Sequence, residues 1–159
     1  MGQLYTVDTG IVSSVTTLFE LEIIAGSANS LILHSFCVSQ TSDFGDSESE
    51  GLKVELKRAA GAYTTGGNNA SVSPIKMTTV NAGAANATAQ RNTSSAAAAG
   101  SGTLQVLHTA GWNIQSDYQY YVAPEHRPEI SGTDAFVISV EAPSDALNLN
   151  IVAIVEEVG

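Results

Sequence analysis

The run "LKVELKR", residues 52–58, constrains the fold of this 159-residue chain more than any other stretch. Leu52, Val54 and Leu56 alternate with Lys53, Glu55 and Lys57. A period of two places the apolar set on one face of a strand and the charged set on the other. The period recurs in "VTTLFELEI", where Val15, Thr17, Phe19, Leu21 and Ile23 share a face opposite Thr16, Leu18, Glu20 and Glu22. In "AFVISVEA", Phe136, Ile138 and Val140 share one side. "LNLNIVAIVEE" alternates at Leu147, Leu149 and Ile151, then turns apolar on both faces, as a strand covered on both sides does.

Segments 4–8, 31–39, 104–109 and 118–122 complete a set of eight predicted strands, and shorter ones are expected near 72–77 and 87–92. Gly, Pro, Asn, Asp and Ser fill the gaps, as turns require. No segment carries a helical period of useful length. The expected architecture is one all-β domain over residues 1–159, an antiparallel β-sandwich that is jelly-roll-like. Residues 59–103 interrupt the pattern with a Gly-, Ala-, Asn- and Ser-rich excursion. Such a stretch buries little apolar surface, so it reads as a long connection with one or two short strands. Asn69, Asn86 and Asn92 open N-x-[ST] sequons there, read as Asn-rich loop.

Charge limits the partners. Only 14% of residues are charged, and the net charge is −10. Nucleic-acid binding needs a basic stripe that the chain lacks. An anionic membrane surface is disfavoured for the same reason. The opening residues have neither the basic nor the apolar stretch of a signal peptide, and no apolar run is long enough to span a bilayer. Cys37 is the sole cysteine; within "LILHSFCV" it reads as a buried small hydrophobe rather than a nucleophile.

The stretch "APEHRPE" concentrates the side chains that chemistry uses. Glu125, His126 and Arg127 are consecutive, so in an extended chain they point apart and do not converge. Pro124 and Pro128 bracket them and remove backbone donors. The reading is a rigid structural turn, Pro124, Glu125, Arg127 and Pro128, with Arg127 tied to a nearby carboxylate or carbonyl. No G-x-S-x-G elbow is present, and His34, His108 and His126 lack paired-ligand spacing. The acidic loop over residues 43–50 departs from calcium-loop order, because Gly45 falls where a ligand belongs. No Gly-rich phosphate cradle occurs. No catalytic residue, cofactor or metal is therefore assigned. Trp112 with Tyr118, Tyr120 and Tyr121 is the set a sugar-binding sandwich would use.

Several motifs occur in a telling order. "TLFEL" is followed by the Leu33 to Asp46 segment "LHSFCVSQTSDFGD" and by "EGLKVELKR". Later come "NTSS", a Leu107-His108 pair before "GWN", the "PEHRP" turn, and the ending "APSDALNLNIVAIVEE". This succession resembles a family of small structural proteins of tailed-phage heads, over most of the chain except the excursion. His126 sits at the family's variable place within the turn. The resemblance implies a non-enzymatic capsid decoration, or cement, protein on the phage head surface, made in the host cytoplasm. Its implied partners are the major capsid protein and copies of itself as a homotrimer at threefold positions. Tyr118, Tyr120, Tyr121, Ile151 and Val155 are the expected subunit interface, since aromatics are enriched at interfaces and the last strand needs cover on its second face. The alternative is a carbohydrate-binding sandwich on the virion, for host attachment.

Overall fold

The computed structural model describes residues 2–42, 50–67, 70–79 and 84–159. In chain order the strands are β1 (Gln3–Asp8), β2 (Val12–Val15), β3 (Phe19–Ile24), β4 (Ser30–Gln40), β5 (Gly51–Ala60), β6 (Ala70–Val72) and β7 (Ile75–Lys76). They continue with β8 (Thr88–Asn92), β9 (Thr103–Asn113), β10 (Tyr118–Tyr121), β11 (Glu129–Ser131), β12 (Ala135–Val140) and β13 (Leu147–Val158). A 3-10 turn at Pro124–His126 separates β10 from β11.

Two antiparallel sheets pack against each other. The first runs β10–β4–β13–β1–β7, with β11 also beside β4 and β2 also beside β13. The second runs β6–β8–β3–β12–β5–β9. The chain changes sheet from β2 to β3, β3 to β4, β4 to β5, β6 to β7, β7 to β8, β9 to β10, β11 to β12 and β12 to β13. Alternate residues of each strand therefore meet between the sheets. Phe19, Leu21, Ile23, Leu52, Val54, Leu56, Phe136 and Ile138 from the second sheet face Val7, Leu33, Val38, Leu149, Ile151 and Val155 from the first. Burying each such side chain contributes about 1.5–3 kcal/mol, so this interleaved layer dominates the stability.

The strand expected over 15–23 is two strands on different sheets. Val15 pairs with Leu147 in the first sheet, whereas Phe19 pairs with Val140 in the second. Thr16, Thr17 and Leu18 form the corner, where the Thr17 hydroxyl donates to the Thr93 carbonyl. Val15, Phe19, Leu21 and Ile23 keep their shared parity because both halves point inward at one core, whereas Thr17, expected on the same face, is exposed at the corner.

The excursion differs more. It carries three strands, β6, β7 and β8, rather than one or two. β8 pairs with β3 over Thr88–Asn92, β6 pairs with β8, and β7 pairs with β1 at the margin of the first sheet. Thr64 and Ala98 form a further bridge. Val72, Ala87, Ala89 and Ala97 are buried. Small residues suit this role because they lie close against a strand face. Ala97 joins Ala59, Ala135 and Val137 in a second, smaller core, packed by Tyr63, Ile24 and Leu104. Arg91 reaches across to the Thr9 carbonyl at 2.6 Å and so joins the two sheets. The excursion thus widens the second sheet through β6 and β8, adds β7 to the first, and lays the segments around Gly66 and Ala97 as a covering layer over the outer face of the second sheet.

Candidate functional site

The sequence-predicted turn lies on a sheet edge. β10 pairs with Val38 to Ser35 of β4, and β11 pairs with Ile32 to Ser30 of the same strand. Between them Pro124–His126 swings out, and pairing resumes where Leu33 donates to the Pro128 carbonyl at 3.1 Å. Glu125 and His126 are exposed. The Arg127 guanidinium donates through Nε to the Val122 carbonyl at 3.4 Å, a long bond to a carbonyl within the same turn. The turn interrupts one edge strand and so limits edge-to-edge pairing there.

The aromatic residues separate by parity. Tyr118 and Tyr120 face inward and pack on Phe36, with ring centroids 5.9 and 5.1 Å away. Tyr118 also meets His108 Nε2 through its hydroxyl at 2.6 Å. Tyr121 faces outward and is 75% exposed. Trp112 is buried, and its indole N–H donates to the Ser116 carbonyl. It therefore offers no ring to a sugar. Ile151 and Val155 are fully buried between the sheets. Their placement corrects the expectation that they face a second subunit, because β13 keeps its alternation to the end and turns Val152 and Ile154 outward instead.

The outer face of the first sheet is consequently more apolar than its polar neighbours in sequence suggest. Register sets Ile75, Thr6, Ile154, Ser35 and Tyr121 side by side across five strands. Leu4, Ile75 and Met77 are exposed, and Val152 and Ile154 are partly so. His34 sits on this face at the β4 bulge, 2.9 Å from Glu156. Cys37 is half-buried there, and burial, with Asp117 nearby, pushes its thiol above the usual range.

Beneath the covering layer is a polar cluster that the alternation pattern does not reveal. Glu20 and Glu22, on the face opposite the apolar set, are fully buried. Glu20 Oε2 accepts from the Ala97 amide at 2.8 Å, and Glu22 Oε1 accepts from the Gly66 amide at 3.0 Å. Gln90 donates to Glu22 Oε2. Asn92 pairs with Glu20 in register and is fully buried, yet both of its side-chain polar atoms, Glu20 Oε1 and the Tyr63 hydroxyl lack a hydrogen-bond partner. Burial raises the Glu20 carboxyl above its ordinary range, against the Ala97 amide and Lys57, which favour the carboxylate. Burial and the nearby Glu22 and Asp134 push the Tyr63 hydroxyl up to about 12. A hollow of about 190 Å³ adjoins Glu20, lined by Lys53, Glu55, Lys57 and Ser139. Burial disfavours ionisation of Glu55, but Lys57 and Lys53, at 3.2 and 3.3 Å, outweigh it and hold the carboxyl below the usual range. The cluster's contacts are structural: its carboxylates clamp backbone amides of the covering layer.

Among the described residues, no group of three or more His, Cys, Asp or Glu is placed to hold a metal ion. The acidic loop lies almost wholly outside the described residues; only Glu50 belongs to them, and it accepts from the Ser144 amide at 2.6 Å. No family model, curated protein or solved structure matches the chain.

Proposed function

We propose that this protein is a non-enzymatic decoration protein of a tailed-phage head, which binds the major capsid protein and stiffens the icosahedral shell. The observation that carries the reading is the outer face of the first sheet. Exposed Leu4, Ile75, Met77 and Tyr121 lie there with partly exposed Val152 and Ile154, interleaved with Thr6, Asp8 and Ser35, on a stiff sheet. A partly apolar face on a preformed scaffold docks with little ordering cost, which is what a shell-binding protein needs. The turn that resembles one of phage head proteins, Pro124, Glu125, Arg127 and Pro128, borders that face at the β10–β11 edge.

The strand order supports the finer architecture. β1–β13–β4–β10 over β3–β12–β5–β9, with a change of sheet at most connections, fits a jelly roll in which β6, β7 and β8 are additions at the margins. The acidic surface keeps unbound copies soluble. The trimer expectation loses the support of Ile151 and Val155, which are core residues.

The test is sedimentation of the purified protein with heads assembled without it. Saturable co-sedimentation that Ile75→Asp or Tyr121→Asp weakens supports the reading. Absence of binding at any concentration removes it.

A further inference from the structure

The four sheet margins are protected unequally. β7 has two residues and β6 three, and the β10–β11 edge is broken by its Pro-bracketed turn. β9 closes the second sheet with eleven residues, Thr103–Asn113, and among the described residues no strand pairs with its outer side. Its sequence, TLQVLHTAGWN, contains neither Pro nor Lys, Arg, Asp or Glu. Val106 and Leu107 are 54% and 41% exposed. Natural edge strands of this length are ordinarily blunted by charge, Pro or covering elements. A single bulge, where Leu56 pairs with His108 and Lys57 with Val106, divides β9 and leaves the stretch from His108 to Asn113 continuous.

Gly111 is a second, separate observation. It lies within that stretch, has no positive φ, and a methyl group built on it would meet nothing within 4 Å. This chain's own fold gives no reason for a glycine there. Glycine inside a strand often marks close approach by another backbone.

Charge selects the occupant. The chain carries −10, so two copies repel over most of their surface. The β9 margin is the exception. β9 is uncharged apart from the titratable His108, and β5 beside it holds Lys53, Lys57 and Arg58, half of the six Lys and Arg, against Glu55. We infer that β9 is a self-association edge, on which the β9 strand of a second copy pairs antiparallel about a twofold axis and extends the sheet. Such a contact is self-complementary, the commonest form of closed assembly, and places no like charges opposite one another. The inference is independent of the decoration reading, since it concerns the second sheet and needs no shell.

Light scattering across a rising concentration series tests it, paired with amide hydrogen exchange at the two ends of the series. Twofold mass, with amides of Thr103–Asn113 gaining protection as mass rises, is the expected result. Thr109→Lys, on an exposed position of the edge, should weaken the pair about tenfold or more with an unchanged monomer melt. If that variant fails to fold, Leu107→Lys, also exposed, takes its place. Monomers throughout, threefold mass, or a dimer whose β9 amides stay unprotected and which ignores both lysines would overturn the inference.

Discussion

Glu20 accepts a 2.8 Å hydrogen bond from the amide of Ala97, 77 positions away in the chain. That contact joins a core strand to a segment whose composition reads as loop. It also fixes one oxygen of Glu20, while the other lies buried beside Asn92.

The first prediction follows from that oxygen. The folded Glu20 carboxyl titrates above its ordinary value, chiefly through burial. The folded state therefore holds this proton more tightly than the unfolded chain. Its contribution to stability is present below the unfolded pKa and is lost as pH rises through the folded one. Glu20→Gln, neutral at every pH, should flatten this slope and raise the melting temperature at neutral pH. Glu20→Ala should lower it, because the Ala97 amide loses its acceptor at a cost of about 1–3 kcal/mol. Glu55 acts in the opposite sense: its depressed carboxyl adds stability that disappears as pH falls through its folded pKa. Melts of wild type and Glu20→Gln from pH 4 upward, on the order of one pH unit apart, separate the two.

The second prediction concerns β13. Ile151 is fully buried and Ile154 faces outward. Ile151→Ala should cost about 2–5 kcal/mol, and Ile154→Ala about 1 kcal/mol or less. Denaturant unfolding of both variants is the check. Equal losses would mean that the outer face of β13 is as enclosed as the inner one.

A pair of glycines gives the third. A methyl group at Gly102 would fall 2.2 Å from the Ala60 carbonyl oxygen and 2.9 Å from the Ala62 and Tyr63 nitrogens. Backbone cannot yield there cheaply, so Gly102→Ala should destabilise by about 1–3 kcal/mol. Gly111→Ala meets open space and should leave the melt unchanged or gain about 0.5 kcal/mol. Thermal melts read both.

Alternation made the two-sheet core legible, since Leu52, Val54, Leu56, Phe136, Ile138 and Ile151 all point where a period of two places them. It did not show that Glu20 and Glu22 are covered. Periodicity reports which face a residue takes, not what covers that face. The cover here is built from Gly66, Ala97 and neighbouring small residues, whose contribution is backbone amides and close approach. Neither leaves a hydrophobic signature. The 15–23 segment was misread for a related reason, because a corner between sheets that share one core preserves the parity of its inward residues.

The fourth prediction returns to the Pro-bracketed turn. His126 is exposed, and Arg127 makes one 3.4 Å bond to the Val122 carbonyl. His126→Ala should leave stability unchanged, and Arg127→Ala should cost only about 0.5–1 kcal/mol. Chemical denaturation of both resolves the difference. A loss several times larger for Arg127→Ala would require a partner beyond this turn.

The most direct measurement of the functional proposal is electron cryomicroscopy of tailed-phage particles produced with and without this reading frame. The account predicts two-layer β density on the outer head surface, seated on the major capsid protein through the face that bears Ile75, Ile154 and Tyr121, and missing from particles made without the gene. Matching density confined to the tail, or heads identical with and without the gene, would contradict it.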